Sequence, residues 1–275
     1  MVVIGSVWDR TVEFISDNLS AVVPIALMGI FVPLSIYTSL APLAAGVSPG
    51  QRSLVYVVMI ALGLWSLWGK LAITALALDP HAGRPGAIQM AGRRFLPTVG
   101  ISLILLAILL AATAPVWIAL QLAGFDFAAA ASGHAAMPSD GVRGFIILYA
   151  MLLGIIVLWI AARLSALLPT IVMERRGLGA LRRSFRLTRG VAWKIVGVVL
   201  LYVIVAFVAE KATQFVFGTI LGLLFSNEGR VSLATILTSI LVGVVATGFT
   251  VLAAAFCAKL YLALRDARES IVNAR

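Results

Sequence analysis

Six stretches of this 275-residue chain are each apolar for some 20 residues or more, at roughly 20–45, 54–78, 96–122, 145–168, 195–217 and 233–262. A stretch of about 20 residues covers about 30 Å of hydrocarbon at about 1.5 Å per residue. Within lipid the backbone has no water to bond, so each stretch must be helical. Nothing between them is large enough to build a hydrophobic core of its own. The sequence therefore predicts an all-α polytopic membrane protein, a single membrane domain over 1–275, with six transmembrane helices and interfacial amphipathic helices. Composition closes the alternative. Hydrophobic residues make up 62% and charged residues 12%, against about 25% charged in soluble domains, and the mean hydropathy is +1.09. A soluble fold could not cover itself with so little polar surface. The single cysteine, Cys257, lies inside an apolar run and excludes a disulfide within the chain. The first stretch is expected to be a span rather than a signal peptide. Its flank, Asp9-Arg10 to Asp17, is not a basic leader, and its apolar core is too long. Residues 6–17, with Val7, Trp8, Val12 and Ile15 opposite Asp9, Glu13 and Asp17, read as a short interfacial helix.

Charge sets the expected orientation. Six spans that start inside place 17 of the 21 Lys and Arg residues on the inner side or at inner span ends, leaving Arg52, Arg143, Lys211 and Arg230 outside. Cytoplasmic loops carry such an excess. The expectation is a bacterial cytoplasmic (inner) membrane protein with both termini cytoplasmic. The net charge of +10 then belongs with an anionic leaflet rather than with nucleic acid, because no aromatic platform or binding fold accompanies the arginines.

The richest segment is 169–197, PTIVMERRGLGALRRSFRLTRGVAWKIVG. Pro169 should end or bend the fourth span. A basic helix over 173–194 is expected next. Its Leu178, Leu181, Phe185 and Thr188 form one side, with Phe185 and the leucines dipped into acyl chains, and Arg175, Arg182, Arg186 and Arg189 form another, with Arg176 and Arg183 beside them. Either it is an extreme positive-inside loop, or it is a site for a lipid headgroup, a phosphate or an acidic partner. The loop between the second and third spans looks like a shorter copy, Gly86-Ala87-Ile88 through Arg93-Arg94-Phe95 to Gly100, and suggests two related span–loop–span units.

Pro169, Glu174, Gly177, Ala180-Leu181-Arg182-Arg183-Ser184, Leu187-Thr188-Arg189-Gly190, Trp193 and Gly197 together carry a family pattern. Gly83-Arg84, Arg93-Arg94, Pro97, Tyr261-Leu262 and Leu264-Arg265 fit it as well. The chain resembles the membrane domain that some bacteria fuse to glycerophosphodiester phosphodiesterases, and the related stand-alone multi-span proteins. The resemblance implies a bacterial inner-membrane module. The hydrolase half is expected to be absent, so the family's name carries no activity across.

Catalytic residues are not expected. Of the two histidines, His81 sits in a turn, Asp79-Pro80-His81-Ala82-Gly83-Arg84, without the second acid/base group or the carboxylates that phosphodiester hydrolysis needs. His134 lies in an Ala- and Gly-rich loop with metal-ligand spacing to nothing. No cofactor or metal is predicted. Three cations inside spans, Lys70, Arg163 and Lys259, fall within about two turns of the inner end. Either they snorkel to headgroups or they converge on one inward cavity that holds an anion such as a lipid phosphate. Glu210 is the only buried-carboxylate candidate, and Gly218-x-x-x-Gly222 offers a weak close-packing motif. The expected function is a non-enzymatic inner-membrane module. It would bind anionic lipid or a protein partner, a second copy of itself included, through Arg182, Arg183, Arg186 and Arg189, with Lys70, Arg163 and Lys259 as further anion ligands. The alternative is a transporter or permease-like component moving a lipid or anionic solute. That function calls for Gly- or Pro-broken spans, for which Pro24, Pro33, Pro42 and Pro115 are available.

Overall fold

The computed structural model describes residues 4–40, 48–131, 137–174, 179–224 and 233–273. Among these every regular element is helical: α1 (Ile4–Asp17), α2 (Leu19–Ala26), α3 (Val32–Leu40), α4 (Pro49–Leu78), α5 (Gly83–Leu122), α6 (Phe127–Ala131), α7 (Asp140–Leu164), α8 (Leu167–Glu174), α9 (Gly179–Leu187), α10 (Ala192–Leu224) and α11 (Leu233–Asn273). Six helical stretches are long and apolar enough to cross a membrane: Leu19–Leu40, Gly50–Leu78, Pro80–Leu122, Asp140–Glu174, Ala192–Leu224 and Leu233–Glu269. The all-α, six-span architecture expected from the sequence is therefore the one observed. The fifth span continues unbroken to Leu224, so residues 212–224 extend it.

Local chemistry explains the breaks. At the start of α4, Gln51 Oε1 accepts from the Ser48 backbone N–H (3.3 Å) and hydroxyl (3.0 Å), and Pro49 needs no partner for a missing N–H. The first span is not one regular helix. Leu27–Phe31 widens into a π-turn in which the Val32 N–H reaches back to the Leu27 carbonyl. Pro33 accounts for it: without an N–H it removes the i+4 donor of the Gly29 carbonyl, and its ring would crowd that oxygen in a regular α-helix. The exposed backbone of Gly29 is filled by Gly69 of α4, where an added Cβ would lie 2.3 Å from the Gly29 oxygen. By contrast α5 continues unbroken across Pro97 and Pro115, and at Gly218 an added Cβ would meet only Thr238 Cγ2, at 3.8 Å. The close helix crossing is at Gly29 and Gly69, not at the motif that spacing singled out.

The core gathers at one end of the bundle, the end that carries α9 and its arginines, here the basic end. Its centre is the last two turns of α4, Leu71 to Leu78, with Ile25 and Ile30 of the first span, Ala87 and Ala91 of α5, Val172 of α8, and Ala255, Ala258 and Tyr261 of α11. Large side chains on the far halves of α5, α7 and α10, such as Leu110, Ile147 and Phe215, remain exposed, as helices facing hydrocarbon should. The N-terminal helix is amphipathic, but its buried stripe is Val7, Thr11 and Phe14. Trp8 and Val12 stay exposed, which corrects the expected face. It packs on α11, with Trp8 and Phe256 ring centroids 6.4 Å apart. The suggested second copy of the basic unit does not appear in the secondary structure. Residues 86–100 lie within the single helix α5, whereas the corresponding stretch of the later loop, 179–197, is divided between α9 and α10.

Candidate functional site

Between the fourth and fifth spans the chain makes three short moves. The helix α7 ends at Leu164, and α8 restarts at Leu167 with Pro169 in its first turn, where a proline's missing N–H costs least. Pro169 thus bends this span, as expected. The restart exposes the Arg163 carbonyl, which accepts from Ser184 Oγ at 2.7 Å and from Thr188 Oγ1 at 3.5 Å. The Arg163 guanidinium donates to the Phe185 carbonyl (Nη1, 3.2 Å) and lies 5.0 Å from the Trp159 ring centroid. One arginine thereby ties its backbone and its side chain to α9. On the other flank Arg183 Nε pairs with Glu174 Oε1 at 2.9 Å, and the Tyr261 hydroxyl donates to the same oxygen at 3.2 Å. Arg189-Gly190 closes the element, with Gly190 at φ +94°, where an L side chain would be strained.

These anchors correct the expected arginine helix. Its helical part is Gly179–Leu187 rather than 173–194; Arg175, Arg176 and Leu178 lie outside the described residues. Its buried face is Ala180, Ser184 and Leu187, turned onto the protein. Phe185 does not reach for acyl chains but meets the Trp159 ring edge-on at 6.4 Å. Leu181 packs beside Ile101, Leu167 and Ile171. Arg183 leaves the group of free arginines for the ion pair with Glu174, a pair in which both side chains are largely covered. Arg182, Arg186 and Arg189 are exposed, and among the described residues none of them has an acidic partner within ion-pair distance. Arg268, from the end of α11, donates to the Arg186 carbonyl and adds a fourth guanidinium close by. Trp193, 79% exposed, stands in the first turn of α10 beside the exposed Lys194.

The three in-span cations do not converge. Arg163 is spent on α9. Lys259 Nζ sits 4.7 Å above the Phe14 ring, a cation–π contact that anchors α1 to α11. Lys70 faces a cleft of about 310 Å³ lined also by Thr74, Ser165, Leu168, Tyr202 and Thr250. The expected shared anion cavity is replaced by three separate roles, because each cation has a nearer π face, carbonyl or cleft of its own. A second cleft, about 460 Å³, lies in the far half of the bundle between α3, α10 and α11, and Thr38, Tyr202, Glu210, Gln214, Ser239 and Thr250 line it. Tyr202 and Thr250 border both clefts. Sequence reading missed this second cleft, since its hydroxyls are scattered over three helices with no common spacing. His81 is exposed in the turn after α4, and His134 lies outside the described residues.

Fold and site together define a multi-span helical membrane protein with a docked basic helix at one end. Residues 142–271, just under half of the chain, match the family model described as the membrane domain of glycerophosphoryl diester phosphodiesterase. That stretch contains α8, α9 and every anchor of the basic helix, and no catalytic-domain family is found in the chain. The resemblance read from the loop motifs is borne out there. No curated protein and no solved structure matches the chain.

Proposed function

We propose that the chain is a non-enzymatic multi-pass module of a bacterial cytoplasmic membrane, with both termini cytoplasmic, whose docked arginine helix binds anionic lipid headgroups of the inner leaflet. One observation carries this reading: α9 is fastened through Ser184, Arg183 and the Phe185 carbonyl, so that Arg182, Arg186 and Arg189 are presented outward on a fixed frame. A loop that served only as a topology signal would need positive charge but no such fastening. The exposed Trp193 supports the same reading, because tryptophan favours the headgroup level. The lopsided distribution of Lys and Arg supports the orientation. A second reading, a transporter of lipid or anionic solute, is favoured by two polar clefts that meet at Tyr202 and Thr250.

The test compares Arg182, Arg186 and Arg189 changed together to Gln or to Lys, in purified protein reconstituted with and without phosphatidylglycerol. At about 1 kcal/mol per residue the Gln variant should lose roughly 3 kcal/mol of binding to the anionic lipid at low salt, and less as salt rises. The Lys variant should recover only part of it, because the planar guanidinium fork is gone. Full recovery by Lys reduces the helix to a topology signal. Unchanged lipid binding in the Gln variant removes the site, and a lost acidic protein contact in its place would identify the partner as protein.

A further inference from the structure

The far-half cleft has a lining with an unusual chemical bias. The hydroxyl of Thr38 donates to the Ser35 carbonyl (3.0 Å), that of Ser239 to Thr235 (2.9 Å), that of Thr250 to Ala246 (2.8 Å) and that of Tyr202 to Phe249 (2.8 Å). Each hydroxyl proton is thus spent on backbone, and each oxygen is left as an acceptor. Glu210 adds a carboxylate, which when ionised only accepts. Among the described residues it has no ion-pair or hydrogen-bond partner. The adjacent Lys211 points elsewhere, donating to Gln214 Oε1 at 3.2 Å and lying 5.9 Å from the Phe207 ring centroid. Apart from the Gln214 amide, the polar side chains of this lining have acceptors to offer and no donors. Beside the lining residue Gly243 lies Ser35, whose buried hydroxyl has no hydrogen-bond partner. Glu210 stands 18 residues into α10, about 27 Å along the helix from its basic end, which sets it near the far boundary of a hydrocarbon layer about 30 Å thick, the level a lipid headgroup can reach.

We infer that this cleft binds a primary ammonium group, with Glu210 as its counter-charge and the oxygens of Thr38, Ser239 and Thr250 accepting its N–H bonds. A primary ammonium has three donors and one positive charge, the complement of this lining. A bare metal ion fits it less well, because such an ion gathers its oxygens to about 2.0–2.6 Å, whereas a cleft of about 460 Å³ has room for an organic headgroup. A quaternary ammonium, having no N–H, would leave the acceptors unused. The same group can come from an aminophospholipid or from a small amine in water. The inference is independent of the arginine helix, which lies at the other end of the bundle.

The experiment uses the full chain in nanodiscs. Phosphatidylethanolamine, phosphatidylcholine and phosphatidylglycerol compete in equal amounts, and native mass spectrometry reads which lipids stay bound. The expected result is a preference of about tenfold for phosphatidylethanolamine over phosphatidylcholine, lost in Glu210→Gln. The variant Ala246→Leu fills the cleft but keeps the carboxylate, and it should lose the preference as well, so the conclusion survives if Glu210→Gln folds poorly. In nanodiscs without phosphatidylethanolamine, free ethanolamine is titrated while thermal unfolding is followed. A rise in Tm that disappears in both variants assigns the site to a soluble amine. Equal retention of the ethanolamine and choline lipids with no ethanolamine-dependent shift overturns the inference, as does a preference that survives in both variants.

Discussion

A Cβ added at Gly69 would lie 2.3 Å from the Gly29 carbonyl oxygen and 2.8 Å from the Gly29 Cα. Both are backbone atoms that cannot rotate away, so the two helices must separate or shift. Gly69→Ala should therefore lower stability by about 1–3 kcal/mol, the range for overpacked sites. Gly63, less than two turns earlier on the same helix, has nothing within 4 Å of an added Cβ. Gly63→Ala should stabilise by about 0.5–1 kcal/mol through helix propensity alone. Thermal unfolding of the two variants in the same detergent checks the pair, and equal melting would refute the tight crossing. Neither glycine was distinguishable in the sequence from the other glycines in spans. What marks Gly29 is Pro33 four residues on, but which residue packs against its backbone is a matter of which helix passes by, and no spacing within one helix records that.

At the scale of the element, α9 is held by polar groups rather than by area. Ser184→Ala removes the bond to the Arg163 carbonyl, and Glu174→Gln removes the charge opposite Arg183. At about 1 kcal/mol for each neutral bond and somewhat more for the charged one, amides of 179–187 should exchange with deuterium roughly five times faster in the first variant and faster again in the second, while those in the middle of α10 stay protected. Exchange that is unchanged in both would mean that apolar packing alone seats the helix. The amphipathic pattern of this stretch was plain from its sequence, and so was the bend at Pro169. The face it buries was not. A helical wheel tells which residues share a side, but whether that side meets lipid or protein depends on the Arg163 carbonyl, which becomes available only because α7 stops.

The six spans of the whole molecule were legible because about 20 apolar residues can do little else in water or lipid. An even number of spans puts Ile4 and Asn273 toward the same end of the bundle. The proposed sidedness is checked on a Cys257→Ala background with single cysteines placed at Ser139 and at Ser270. An impermeant thiol reagent should label Ser139→Cys in intact cells and Ser270→Cys only after permeabilisation; labelling of both from one side would refute six crossings. The clefts, in contrast, were not legible, since each is lined by residues of three or more elements that only the packed bundle brings together. The contact between α1 and α11 has a consequence in time. Trp8 meets Phe256 and Phe14 meets Lys259, partners separated by nearly the entire chain. A ribosome working at about 5–20 residues per second needs on the order of 10–50 s to travel from one to the other. Throughout that interval α1 is already made and its proper neighbour does not exist, so the stripe of Val7, Thr11 and Phe14 has only the membrane surface to rest on. The interfacial helix that the sequence describes is in this sense the newborn state of α1, and the last helix to emerge collects it.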